Sequence, residues 1–219
     1  QEYLGGSLHS LEIMGEPGCY RALQVTDLYM DQSFDCKRVV APTELASDLI
    51  ADFEELSLTI ADAIKLHGIM DVEVVLNQGD FKVLEIDARL PSQTPTTVYW
   101  STGQNLVQML GEQLPANVKE TQSGTKADRG IVYEHIRMSP EILETRGEHI
   151  MTEGGPLYLL QDFFGADEAI TNFNSRKNRW VATLIISETD RRSALAKKDR
   201  VIEEIVKRLS IKKIYDTLP

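Results

Sequence analysis

FKVLEIDARLPSQTPTT, residues 81–97, sets Glu85, Asp87 and Arg89 at alternate positions of a β-rich run. Period-two geometry sends residues i, i+2 and i+4 to one side of a sheet, so these three side chains point into one space. Two carboxylates at that spacing repel unless a positive charge sits with them. The run before it, IMDVEVVLNQGD (residues 69–80), ends in the turn signal Asn77-Gln78-Gly79-Asp80, and the two runs read as a β-hairpin. A three-residue loop, Gln78 to Asp80, sets Asn77 opposite Phe81 and Glu73 opposite Glu85. The other face then holds Val72, Val74 and Leu76 against Lys82, Leu84 and Ile86, apolar as a core face should be. A two-residue loop would bring Glu73 opposite Leu84 and mix acids with core, so the three-residue loop is preferred.

Three converging acids want a cation. Oxygen-only ligands with open positions suit Mg²⁺ or Mn²⁺, which take one or two carboxylates and complete the shell with water and substrate phosphates. A solvated acidic edge strand satisfies the same pattern, and the residues alone leave both readings open.

The chain has 219 residues, 42% of them hydrophobic, enough for a sizeable ordered core. A formal net charge of −11 argues against nucleic acid or an anionic membrane as partner and favours cationic or metal-bound ones. Cys19 and Cys36 have no metal-like spacing, so reduced, inert thiols in a cytoplasmic protein are expected. No apolar stretch approaches a membrane span.

Residues 1–15, QEYLGGSLHSLEIMG, read as starting inside a strand, with a turn at Gly5-Gly6. Residues 8–15, 19–30 and 36–42 read as strands, and Pro42-Thr43-Glu44 as the start of a helix. The stripe of that helix is Leu45, Leu49, Phe53, Leu56, Ile60 and Ile64, with Gly68 at its C-cap. Beyond Pro91 the pattern predicts a helix broken near Gly103 and a second short one, then a polar loop over 116–129. Strands follow in IVYEHIRM, PLYLLQDFF and RWVATLIIS, the last apolar enough to be central. Thr189-Asp190 caps a terminal helix whose stripe is Leu195, Val201, Ile202, Ile205, Val206 and Leu209.

Glu73 followed twelve residues later by Glu85-Ile86-Asp87-Ala88-Arg89 resembles the metal-binding signature of the ATP-grasp ligases, E…E-x-N-x-R, with Asp87 where many relatives carry Asn. The opening QEYLGGSLHSLEI resembles the adenine hinge of the same family, and residues 83–105, VLEIDARLPSQTPTTVYWSTGQN, are most similar to its amino-acid ligases of pyrrolysine biosynthesis. The resemblance implies an α+β ATP-grasp fold, a largely antiparallel β-sheet with flanking helices. It also implies ATP as cofactor with Mg²⁺ or Mn²⁺, and an acyl phosphate attacked by an amine. The substrates it implies are the small amino acids L-lysine and 3-methylornithine, with oligomeric state open, a homodimer included.

On this resemblance Glu73, Glu85 and Asp87 are the metal ligands and Arg89 the catalytic residue at the developing oxyanion, with a salt bridge to Glu85 or Asp87 as the alternative for Arg89. Gln1, Glu2, Tyr3 and Leu4 contact adenine, and His9 lies near the ribose or phosphates. Lys37 and Arg38 are exposed strand cations or reach phosphates or a substrate carboxylate. Glu134, Glu148 and Asp162 are available to a substrate ammonium. The expected organisation is one C-terminal lobe: hinge and first strands (1–15), metal-binding hairpin (69–90), a loop-rich and strand segment (116–179), and a closing strand and helix (180–219). The amino-terminal domain and glycine-rich lobe then belong to a protein about 140 residues longer.

Overall fold

The computed structural model describes residues 2–113 and 128–219. Most of the loop expected over 116–129, and Gln1, lie outside them. The chain forms two compact units, Gln1–Asp27 with Ala41–Asp128, and Leu28–Val40 with Arg129–Pro219. Two short strands, β3 (Thr26–Met30) and β4 (Cys36–Ala41), carry the chain from one unit to the other.

The first unit is built on β1 (Ser7–Glu16), β2 (Cys19–Ala22), β5 (Gly68–Asn77) and β6 (Asp80–Asp87). β5 pairs antiparallel with β1 on one side and with β6 on the other. Strand β1 begins at Ser7, so residues 2–6 lie outside it, contrary to the sequence expectation. Alternation sorts the two faces. Leu11, Ile13, Met70, Val72 and Val74 meet Phe53 and Ala61 of α1 (Ser47–Ile64), and the Phe53 and Phe81 rings stack at 5.1 Å. Met14 and Ile69 point the other way, against Val98 of α2 (Thr94–Thr102) and Leu106 of α3 (Leu106–Gln113). Gly103 ends α2 at φ 81°, the left-handed cap that the broken-helix expectation required.

Helix α1 starts later than expected and ends earlier. The Asp27 carboxylate accepts from the Thr43 hydroxyl and from the Glu44 N–H, which holds residues 43 and 44 outside the helix. Lys65, at φ 52°, closes the other end, and Gly68 instead opens β5. Phe53, Ser57 and Ala61 form the buried line, while Ile64, expected in the stripe, is exposed.

The second unit is an antiparallel sheet, β7 (Gly130–Ser139), β11 (Trp180–Glu188), β10 (Ala166–Thr171) and β9 (Tyr158–Phe163) in that order. β11 is buried along all but its last residue, as its apolar run predicts for a central strand. Helix α5 (Arg191–Leu209) lays Ala194, Val201 and Ile205 on Val132, Ile136, Leu184 and Ile186. Asp190 caps it by accepting from the Ser193 N–H at 2.9 Å. Three strands were not foreseen: β10, β8 (Ile142–Thr145), and β12 (Lys213–Asp216), which runs parallel to β8. A short helix, α4 (Ile150–Glu153), completes the unit. Neither cysteine is in a disulfide; Cys19 is exposed and Cys36 half-buried. No helix among the described residues is long and apolar enough to cross a membrane.

Candidate functional site

The hairpin register holds at the acids and fails at the turn. Gln78 and Gly79 have φ of 53° and 91°, the paired positive values of a two-residue hairpin turn, so Asn77 faces Asp80 rather than Phe81. A bulge then inserts Leu84, with Val83 opposite Val74 and Glu85 opposite Glu73. One extra residue on β6 thus compensates one fewer in the loop. The apolar face also differs from expectation. Val72 and Val74 are fully buried, but Leu84 and Ile86 lie on the outer strand at 39% and 42% exposure.

Strand pairing extends the acidic face across three strands. Glu12 on β1 faces Asp71, which faces Asp87; two residues along, Ser10 faces Glu73, which faces Glu85. Partners in register share a face, so five carboxylates and a hydroxyl line one side of the first unit. Sequence reasoning missed Ser10, Glu12 and Asp71. The signal was the period-two pairs Ser10/Glu12 and Asp71/Glu73, which align only once β1 is known to pair with β5.

The electrostatics grade inward. Arg89 donates to Asp87 at 2.5 Å across an exposed flank, the salt bridge weighed from sequence. Burial, with Asp71, Glu85 and Asp87 adding repulsion, pushes Glu73 up to about 7. Burial also raises Asp71 to about 6, against the hydrogen bond that Ser10 Oγ donates to it at 2.6 Å. Glu12 has no solvent exposure and is pushed up to about 8, first by burial and then by Asp71. The Thr94 hydroxyl beside it offsets part of that rise, yet neither Glu12 oxygen has a partner at hydrogen-bond distance. A buried carboxylate facing another carboxylate is costly unless a cation joins it.

That cost has a sign in pH. The Glu12 carboxyl binds its proton more tightly folded than unfolded, so its contribution to stability is present below about pH 4.5 and is lost as pH rises through about 8. Glu12→Gln should therefore raise Tm by at least about 3 °C at pH 8.5 and change it little at pH 5, in the absence of divalent metal. Equal shifts at both pH values in a thermal melt would show that Glu12 is not the group responsible.

Hard oxygen donors in this number fit Mg²⁺ or Mn²⁺ in kind. Among the described residues, no three His, Cys, Asp or Glu side chains already converge on a point where a metal ion could sit. Glu85 is exposed on an outer strand, so its side chain is free to turn toward Glu73.

The other candidates are placed differently. Glu2 and Tyr3 are exposed and Leu4 half-buried ahead of β1, where Asn77 Nδ2 donates to the Gly5 carbonyl at 2.6 Å. Gly6 is required there, because a Cβ would stand 2.1 Å from the Leu76 carbonyl oxygen. His9 is 3% exposed, with one ring nitrogen on Ser7 Oγ and the other on Asp27 Oδ1, both at 2.8 Å. Lys37 and Arg38 are buried, not exposed as the first sequence reading has them: both pair with Asp216, and Arg38 also with Glu134. Glu134 is thereby committed to an ion pair within the second unit.

No protein-family model matches the chain. Its structure resembles the biotin carboxylase complex with β,γ-ATP from Campylobacter jejuni, with a TM-score of 0.66 over 93% of this chain and 47% of that one at 15% identity. An ATP-grasp superfamily protein from Archaeoglobus fulgidus gives 0.50 over 64% of this chain and 42% of its own at 19% identity. The chain has the ATP-grasp fold, largely antiparallel with flanking helices as expected. In sequence it is a relative of the 3-methyl-D-ornithine–L-lysine ligases. It is 35% identical to that of Methanosarcina acetivorans over 90% of this chain, and 34% identical to that of Methanosarcina mazei over 91%. It spans about half the length of these curated relatives, 52% of each.

Proposed function

We propose that this chain supplies the metal- and amine-binding part of an ATP-dependent carboxylate–amine ligase that joins 3-methylornithine to the ε-amine of L-lysine, a step of pyrrolysine biosynthesis. The carrying observation is the acidic face, five carboxylates from three strands with Arg89 at its edge. In this reading Glu73, Glu85 and Asp87 hold Mg²⁺ or Mn²⁺, which supplies charge neutralisation at the nucleotide phosphates. Arg89, oriented by Asp87, offers its planar guanidinium to the acyl phosphate and to the oxyanion formed when the amine attacks. The residues before β1, Glu2, Tyr3 and Leu4, line the adenine through backbone groups. His9 steadies the start of β1 by bridging Ser7 and Asp27. Cysteines outside any disulfide accord with a reducing cytoplasm.

The inner part of the face suits a different cation. Ser10, Glu12 and Asp71 lie beyond the proposed metal ligands, and the orphaned Glu12 oxygens are what a substrate ammonium would satisfy. Both proposed substrates are diamino acids, which gives such acceptors a purpose. The experiment is ADP release by the full-length protein with each amino acid omitted in turn. Release should require both 3-methylornithine and lysine; release with a different carboxylate or amine would move the protein elsewhere in the ATP-grasp family. Asp71→Asn should raise KM for one of the two amino acids at least about tenfold and leave KM for ATP within about twofold. Unchanged KM for both would remove Asp71 from substrate recognition.

A further inference from the structure

The second unit carries two buried cations that the proposed reaction leaves unused. Lys37 is fully buried, and its ammonium donates to the Asp216 carboxylate at 2.6 Å and to the Thr217 carbonyl at 2.5 Å. Arg38, the next residue on β4, donates through Nε to Glu134 Oε1 at 2.7 Å and through a terminal nitrogen to Asp216 Oδ2 at 2.8 Å. The Tyr29 ring lies 5.5 Å from its guanidinium carbon. One carboxylate from β12 thus closes over both cations. Glu134, 1% exposed, keeps its Oε2 without a hydrogen-bond partner.

The strand that brings Asp216 is weakly anchored. All four residues of β12 are exposed, Ile214 and Tyr215 by 52% and 43%, and among the described residues β8 is its one strand neighbour. A segment with little apolar burial and solvent-facing backbone bonds belongs to the low-stability end of a fold. Asp216, bonded to Lys37 and Arg38 together, is its charged attachment. When the strand lifts, Lys37 loses both partners, and a buried ammonium without counter-charge is expensive. An oxyanion of a ligand removes that penalty as Asp216 does, and the guanidinium fork of Arg38 suits such a group.

We propose that Lys213–Asp216 is a strap that keeps an intramolecular carboxylate on an oxyanion site formed by Lys37 and Arg38, and that a phosphate- or carboxylate-bearing ligand opens it by competition. The inference stands apart from the ligase reading, since none of its groups belongs to the hairpin. Amide hydrogen exchange on the full-length protein tests it. Asp216→Asn should speed exchange at residues 213–216 by at least about tenfold and leave the α5 amides within about twofold, while Asp216→Glu restores slow exchange. In the wild type, inorganic phosphate at about 20 mM should speed the same amides, and potassium chloride of equal ionic strength should not. Sodium acetate acting as phosphate does would extend the ligand class to simple carboxylates; phosphate acting alone would restrict it to phosphate groups. Acceleration by chloride equal to that by phosphate, no acceleration by any of these anions, or β12 and α5 opening together would overturn the proposal.

Discussion

Glu85→Gln in the full-length protein should lower amide formation at least about 10³-fold, with the fold intact and the thermal melt unchanged or shifted upward. Glu85 is exposed on an outer strand, so replacing it opens no cavity and leaves no buried group unpaired. It directly faces Glu73, a half-buried acid already pushed up to about 7, so removing one of two opposed charges relieves repulsion in the metal-free protein. The same change deletes a metal ligand. Stability and activity should therefore move in opposite directions, which a merely structural role for Glu85 would not produce. Turnover at saturating Mg²⁺ within about tenfold of wild type would sink the metal assignment.

Arg89→Lys should cut turnover about 10²-fold and leave ATP affinity within about threefold. Arg89 is bonded to Asp87 at 2.5 Å with 60% of its side chain exposed, so one edge of the guanidinium is held while the rest faces solvent. Lysine can keep a single bond to Asp87 but cannot also present a planar donor pair to a second oxyanion. The loss should fall on turnover rather than on nucleotide binding, because the residue lies two positions past Asp87, where β6 ends, beyond the proposed metal ligands. Equal losses in ATP affinity and turnover would place Arg89 at the nucleotide phosphates instead.

The hairpin acids were legible because alternation fixes their common face whatever the fold. Their match to a known signature added the chemistry. The turn was misread because a bulge has no mark here: Val83-Leu84 is ordinary strand sequence, without the glycine that often flags one. Lys37 and Arg38 were misplaced for another reason. Their partners Glu134 and Asp216 are 96 and about 180 residues away in sequence, so nothing local shows that these cations are buried. β8 and β12 were invisible because four-residue strands carry too little periodicity to register. Glu12 and Asp71 lay in plain view as acids, but only the pairing of β1 with β5 sets them side by side.

The bulge at Leu84 separates two functions that a regular hairpin would lock together. Glu73 and Glu85 keep their alignment through the ladder below it, which continues with Val72 against Ile86 and Asp71 against Asp87. The loop above is free to change length by one residue if the bulge is gained or lost in compensation. The hairpin tip is therefore a permissive site: a short epitope or fluorophore graft between Gln78 and Gly79 leaves the alignment of the acids untouched. It would report from within one strand length of the proposed metal position without entering it.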